Sequence, residues 1–194
     1  MSANRIRLVV IVGSVRAGRF GPTVANWFIR ETEKYQQFDV DVVDLADVSL
    51  PAVITSEPGP EGAAALGAVT PRIAAADAFV MVTPEYNHSF PAALKNAIDW
   101  HFTQWQAKPV AFVSYGGLAG GLRAVEHLRQ VLAELHAVTV RDTISFHGNA
   151  YAFDEHGEPR DAEGASTAAK VMLEKLSWWA VALDDAKARQ PYPA

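Results

Sequence analysis

The sequence predicts an α/β fold in which a parallel sheet of five strands lies between layers of helices. Short apolar runs alternate five times with longer segments of helical pattern, as in consecutive β-α-β units. Two of the runs, Leu8–Val12 and Ala78–Val82, are apolar throughout, which is typical of strands buried on both faces. The chain has 194 residues, of which 49% are hydrophobic, so we expect one domain over residues 1–194 with a substantial core.

The elements follow from local patterns along the chain. Glycine ends the first strand, proline ends the third, and Pro91 suits the first turn of a helix. Pro71 should kink its helix or delay its start. The predicted elements are, in order, a strand at 8–12, a helix from 22, a strand at 40–43, a long loop at 45–62, a helix at 63–76, a strand at 78–82, a helix at 91–100, a strand at 109–113, a helix at 122–135, a half-exposed edge strand at 138–144 and a last helix through 172–183.

Composition excludes several classes of protein. The formal net charge is −5, so there is no basic surface for nucleic acid or for an anionic membrane, and we expect neither as a partner. The absence of cysteine excludes a disulfide framework, a thiol nucleophile and a cysteine-ligated zinc site. The apolar run near the N-terminus, Leu8–Val12, is too short for a signal peptide or a membrane span, so we expect a cytoplasmic protein.

Parallel sheets bind ligands at the carboxyl ends of their strands, so the loops after the first, third and fourth strands are the candidate site. The first loop, Gly13–Gly21, leads from a buried strand into a helix whose free N–H groups suit an anion. Ser14, Thr23 and Arg16 can add donors, which favours a phosphate site over an ordinary turn. The role of Arg19 stays open between phosphate binding and a solvated surface charge.

The second and third loops differ in character. The second, Thr83–Phe90, contains a tyrosine and an amide between prolines, which suits a flat heterocycle with polar edges. Its Glu85 and His88 could form an acid–base pair, although such loop residues are usually solvated. The third, Ser114–Gly121, has four glycines, which let a backbone approach a ligand closely, although a tight turn also uses glycine.

Three motifs together resemble the NADPH-dependent FMN reductase family of flavodoxin-like proteins, from about residue 6 to about residue 145. The first is Gly13-Ser14-x-Arg16 and the third is Ser114-x-Gly116-Gly117. The second is long and specific: Pro84-Glu85-Tyr86-Asn87-His88-Ser89-x-Pro91-x-x-Leu94-Lys95-Asn96-x-Ile98-Asp99-Trp100. The resemblance implies a three-layer flavodoxin-like fold with strand order 2-1-3-4-5.

The resemblance also implies the cofactors, the partners and the site. FMN is the implied cofactor and NADPH or NADH the co-substrate, with a small-molecule electron acceptor such as a flavin or quinone. Family members are mostly homodimers or homotetramers that close the flavin pocket with a neighbouring subunit. No side chain is expected to act as a catalytic group, and no metal is expected. The implied FMN contacts are Ser14, Arg16, Phe20, Gly21, Pro22 and Thr23 at the phosphate, Pro84, Glu85, Tyr86 and Asn87 beside the isoalloxazine, and Ser114, Tyr115, Gly116 and Gly117 at its pyrimidine edge.

A cofactor of this kind would carry the chemistry, while the protein positions it and stabilises negative charge on the reduced ring. Backbone N–H groups of Gly116 and Gly117 could supply that stabilisation. One alternative is a flavodoxin-like electron carrier that has no nicotinamide site of its own. A weaker alternative is a hydrolase that uses Ser14 or Ser89 with a histidine.

Overall fold

A computed structural model describes residues 5–193 and contains the predicted five-stranded parallel sheet. Residues 1–4 and Ala194 lie outside the described residues. The strands run in the order β2-β1-β3-β4-β5, the flavodoxin-like order that the resemblance implied. Their bounds are β1 Ile6–Val12, β2 Phe38–Asp44, β3 Ala78–Pro84, β4 Pro109–Gly116 and β5 Val138–His147.

Helices cover both faces of the sheet. Their bounds are α1 Gly21–Glu33, α2 Gly59–Ala75, α3 Ala92–Asp99, α4 Leu122–Glu134 and α5 Ala162–Arg189. The apolar sides of α1 and α5 meet one face of the sheet, and those of α2, α3 and α4 meet the other. Strand β1 shows why both faces are apolar: Leu8 and Val10 contribute to the first core, whereas Val9 and Ile11 contribute to the second.

Several boundaries differ from the predicted ones. Helix α2 starts at Gly59 and contains Pro71, whose missing N–H leaves only the carbonyl of Gly67 without its helical partner. Both residues are exposed, so water can satisfy that carbonyl. Strand β4 continues to Gly116 and β5 to His147, so the beginning of the predicted third loop is strand.

The topology places three loops on one edge of the sheet. The chain order reverses between β1 and β3, and the helices that follow these two strands cover opposite faces. A crevice at the carboxyl ends of β1, β3 and β4 results, which is where open α/β sheets bind ligands. In the described part of the chain, no helix is long and apolar enough to cross a membrane.

Candidate functional site

The predicted loops meet at the carboxyl edge of the sheet. The guanidinium carbon of Arg16 lies 5.8 Å from the ring centroid of Tyr86, which joins the first loop to the second. The backbone N–H of Glu85 donates to the carbonyl of Tyr115 at 3.1 Å, which joins the second loop to the end of β4. Residues from all three predicted segments therefore share one crevice.

The first loop presents unused donors. Among the described residues, the backbone N–H groups of Val15, Arg16, Ala17 and Gly18 donate to no protein acceptor. Helix α1 begins directly after the loop, and Phe20 at its N-cap offers no side-chain oxygen to the N–H of Gly21, which donates to no protein acceptor within residues 5–193. Arg16 is exposed beside them. The arrangement concentrates positive potential and donors in the way that anion sites at helix N-termini do.

Arg19 anchors this loop to the neighbouring strand. Its guanidinium donates to both carboxylate oxygens of Asp44, at 2.6 and 2.8 Å, and to the carbonyl of Ser14 at 2.9 Å. The carboxylate raises the pKa of Arg19 further above its usual value by hydrogen bonding. Both partners are largely shielded from solvent. Arg19 is therefore a support of the loop, with both of its terminal nitrogens hydrogen-bonded within the protein.

Two buried hydroxyl groups lie beneath the start of α1. Ser14 Oγ and Tyr115 Oη are inaccessible to solvent, and neither has a hydrogen-bond partner in the described structure. A Cβ atom on Gly21 would overlap Ser14 Oγ and come within 3.0 Å of Tyr115 Oη, so both hydroxyls face this glycine. Burial raises the pKa of Tyr115 to about 12, which keeps the phenol protonated as a donor.

Backbone geometry defines the second loop. Tyr86 and Ser89 form an isolated antiparallel bridge around Asn87 and His88, whose φ angles are 47° and 75°. Positive φ at both central residues is the requirement of a type I′ turn, and asparagine tolerates it well. Pro84 is buried at the end of β3, whereas Asn87 and His88 lie at the exposed tip.

Glu85 does not pair with His88. Its carboxylate accepts from the Arg123 guanidinium at 2.9 Å and from the Arg123 backbone N–H at 3.3 Å. This places a buried carboxylate at the first turn of α4, where an acid stabilises the positive end of the helix. The suggested acid–base pair is not present, and Glu85 instead fixes the second loop to α4.

The structure contains one serine–histidine contact that a hydrolase could use, but the other groups of a hydrolase catalytic site are missing from the described residues. Ser89 Oγ and His127 Nδ1 share a hydrogen bond of 3.0 Å at the surface. Over residues 5–193, no third group binds the other ring nitrogen of His127 to orient it as a base. Ser14, the other serine considered, has no histidine partner among those residues.

The third loop folds back on the strand from which it emerges. The hydroxyl of Ser114 is fully buried and donates to the carbonyl of Gly120 at 2.9 Å. Gly120 and Gly121 have positive φ, and a Cβ on Gly116 would lie 2.9 Å from the backbone nitrogen of Gly121. Gly117 differs because it is exposed and its nearest potential neighbour, Asn149 Nδ2, would be 3.8 Å from an added Cβ. Of these glycines, Gly117 is the one whose backbone a ligand can approach.

The end of β5 adds residues that the sequence reasoning missed. The backbone N–H of Gly148 donates to the carbonyl of Gly117 at 2.9 Å, and His147 Nδ1 bonds to the carbonyl of Leu118 at 3.0 Å. Leu118 is 92% exposed and Tyr151 is 86% exposed, so this corner carries uncovered apolar side chains. The signal was the pair Gly148-Asn149, a turn sequence that follows the last apolar residue of the strand.

The arrangement suits the binding of an elongated anion. One end offers free N–H groups, buried hydroxyls and an arginine, and the other offers an aromatic turn beside an open glycine backbone. Within the part of the chain that the structure describes, no cluster of three or more His, Asp or Glu side chains could hold a metal ion.

Comparisons with known proteins agree with this architecture. The family model for NADPH-dependent FMN reductase matches residues 6–151. A quinone reductase of Escherichia coli K12 is 35% identical over 144 residues, which are 71% of this chain and 75% of that protein. An NAD(P)H-dependent FMN reductase of Schizosaccharomyces pombe is 42% identical over 125 residues, which cover 59% of this chain and 60% of the relative.

A solved structure supports the fold independently. A flavoenzyme NAD(P)H:(acceptor) oxidoreductase of Paracoccus denitrificans superimposes with a TM-score of 0.72 at 23% sequence identity. The match covers 90% of this chain and 97% of that one, so the similarity extends beyond the residues of the family model. The family model matches most of the chain, and the strands have the flavodoxin-like order β2-β1-β3-β4-β5 that the resemblance implied. The chain therefore belongs to the NADPH-dependent FMN reductase family of oxidoreductases.

Proposed function

We propose that the crevice holds FMN and that the protein passes hydride from NADPH or NADH through it to a flavin, quinone or similar small acceptor. The observation that carries this proposal is the cluster of unused donors at the start of α1, at the same edge of the sheet as the open backbone of Gly117. The loop donors have no acceptor in the described part of the protein, and the backbone of Gly117 is open on one side. FMN matches both, because it has an anion at one end and a planar ring with polar edges at the other.

The phosphate end of FMN is assigned to the first loop. Ser14, Arg16 and the backbone N–H groups of Phe20 and Gly21 would hold it. The N–H of Thr23 donates to the carbonyl of Phe20 at 3.1 Å, so Thr23 would contribute its hydroxyl. Pro22 has no N–H and contributes its fixed φ, which suits the first turn of a helix. A phosphate dianion at this position gains from the helix dipole as well as from direct hydrogen bonds.

The ring end of FMN is assigned to the second and third loops. Pro84, Glu85, Tyr86 and Asn87 would line one side, with Glu85 acting through its hold on Arg123. Ser114 and Tyr115 have buried side chains, so at the ring they can contribute only through the backbone and packing. Gly116 and Gly117 complete this edge, and the N–H of Gly117, which is an exposed residue, would stabilise negative charge on the reduced ring.

Bound FMN supplies the capacity to accept a hydride and to return electrons to a second molecule. The residues of this chain would then position the ring and leave one face open. Nicotinamide and acceptor would share that face in turn, which predicts ping-pong kinetics.

We further propose a homodimer or homotetramer in the cytoplasm, where NAD(P)H is available. The exposed side chains of Val15, Leu118 and Tyr151 support this arrangement, because apolar groups around a binding crevice suit cover by a second subunit. Light scattering on the purified protein measures the assembly, and a monomer at micromolar concentration would contradict this part of the proposal.

Oxidation of NADPH and NADH by the FMN-loaded protein, with a benzoquinone as acceptor, tests the function. We expect turnover by the natural protein and a loss of at least about tenfold in FMN affinity for Arg16→Ala, since charge-assisted hydrogen bonds are strong. Arg30→Ala is the matched control, because Arg30 is an exposed arginine in the last turn of α1 that pairs with Glu158. Bound FMN without any oxidation of NADPH or NADH would favour the electron-carrier alternative.

A further inference from the structure

The two unpaired hydroxyls beneath α1 have no role in holding the protein together. Ser14 Oγ and Tyr115 Oη are both buried, and the described structure offers neither of them a hydrogen-bond partner. A buried hydroxyl that makes no hydrogen bond costs about 1–3 kcal/mol of folding free energy. The two unpaired hydroxyls next to Gly21 therefore lower the stability of the ligand-free protein, and a ligand that accepts a hydrogen bond from them would remove this cost.

The ring of Tyr115 and its hydroxyl group have different surroundings. The ring packs edge-on against Phe20 with centroids 6.0 Å apart, and Phe20 in turn packs against Phe153 at 5.3 Å. These contacts fix the ring beneath the first turn of α1 and would be equally good for phenylalanine. The hydroxyl is therefore not needed for packing.

On the basis of the proposed FMN site, we infer that Tyr115 is a positioning residue for the FMN phosphate, acting through Ser14. When the phosphate binds, the phenol of Tyr115 donates to Ser14 Oγ, and the single proton of Ser14 is directed to a phosphate oxygen. A serine hydroxyl that accepts one hydrogen bond becomes a better donor in the next, because such bonds polarise one another. The sequence motif places Tyr115 at the ring end of FMN, whereas its buried hydroxyl lies at the phosphate end.

Protonation favours this direction of donation. Because burial raises the pKa of Tyr115 to about 12, the phenol keeps its proton throughout the working range of an enzyme. The neighbouring Ser14 hydroxyl lowers the pKa of Tyr115, as do the guanidinium groups of Arg19 and Arg16 to a smaller extent, so none of them accounts for that rise.

Tyr115→Phe and Ser14→Ala test the inference, with Tyr35→Phe as the matched control at the far end of α1. The affinities for FMN and for riboflavin, which lacks the phosphate, are measured by quenching of flavin fluorescence. Thermal unfolding of the FMN-free protein is measured in parallel. For Tyr115→Phe we expect an FMN dissociation constant about tenfold higher, a riboflavin constant within about twofold of the natural protein, and no loss of unfolding temperature. Tyr35→Phe should leave both affinities unchanged.

The double variant tests whether Tyr115 acts through Ser14. If it does, Ser14→Ala combined with Tyr115→Phe should bind FMN no more than about twofold more weakly than Ser14→Ala alone. The ³¹P signal of bound FMN should also move in Tyr115→Phe, because this signal reports the surroundings of the phosphate.

Three results would overturn the inference. The first is an unchanged FMN affinity in Tyr115→Phe, and the second is an equal loss of FMN and riboflavin affinity. The third is an FMN dissociation constant of the double variant that rises by the product of the two single effects. A natural protein that binds no FMN at all would instead refute the proposed function, and the role of Tyr115 with it.

Discussion

Replacing Gly21 with alanine should destabilise the protein, although alanine normally stabilises a helix. Gly21 is the first residue of α1, and an added Cβ would overlap Ser14 Oγ, lie 3.0 Å from Tyr115 Oη and lie 3.2 Å from Val12 Cγ1. The substitution therefore pushes a methyl group into two buried hydroxyls and the end of β1. All three are buried side-chain atoms, so relief requires another rotamer of Ser14 in a packed site or a shift of the loop.

The expected magnitude follows from two opposing contributions. Alanine favours a helix interior over glycine by about 1 kcal/mol, and by less in the first turn. Overfilling a close-packed site costs about 1–3 kcal/mol. The net result is a loss of about 1 kcal/mol, which lowers the unfolding temperature of a chain of this size by about 2–4 °C. The affinity for FMN should fall at least about tenfold, because the displaced atoms line the phosphate site.

Thermal unfolding followed by circular dichroism, without FMN, measures the first effect. Gly67→Ala is the matched control, since Gly67 lies within α2 and an added Cβ there would meet nothing within 4 Å. The control should gain up to about 1 kcal/mol. An unfolding temperature that rises in Gly21→Ala as it does in Gly67→Ala would refute the close approach that we describe.

Two further substitutions test the supports of the site, and a third tests a buried histidine elsewhere in the core. Arg19→Ala should weaken FMN binding several-fold and cost about 1 kcal/mol of stability, against no more than about 0.5 kcal/mol for the exposed control Arg30→Ala, as measured by denaturant unfolding. Glu85→Gln should cost about 1–2 kcal/mol in the same assay, because it weakens the capture of the second loop by α4; a change below about 0.5 kcal/mol would contradict that role. His101 is buried with both ring nitrogens hydrogen-bonded, and burial lowers its pKa below the usual 6.5. The unfolded chain therefore takes up a proton first as pH falls, so stability should decline as pH falls through the usual histidine pKa of 6.5, and His101→Gln should make that decline shallower in unfolding temperature.

Local sequence patterns were enough to predict the type and order of most strands and helices. The aliphatic run of β1 and the glycine after it define a buried strand and its end without any long-range information. The boundaries of β4 and β5 were predicted too short because Ser114 and Ser145 are polar, although Ser114 is buried and Ser145 is only partly exposed. Ser114 belongs in the strand because its hydroxyl finds a partner in the carbonyl of Gly120, which no pattern along the chain could indicate.

The parts of the site that could not be predicted depend on pairing between distant segments. Arg19 reaches Asp44 because the register of the sheet sets Asp44 beside Val12, directly before the first loop. Glu85 meets Arg123 for a similar reason, since β3 and the loop after β4 end side by side. The sequence motifs indicated which loops form the crevice, whereas the division between supporting and ligand-facing side chains required the structure.

The most direct test of the central claim is an absorption spectrum of the purified protein supplemented with FMN, recorded before and after anaerobic addition of NADPH. The proposed function predicts flavin absorption bands that remain with the protein through gel filtration and bleach when NADPH is added. Flavin that separates from the protein, or bands that stay unchanged after both NADPH and NADH, would contradict it.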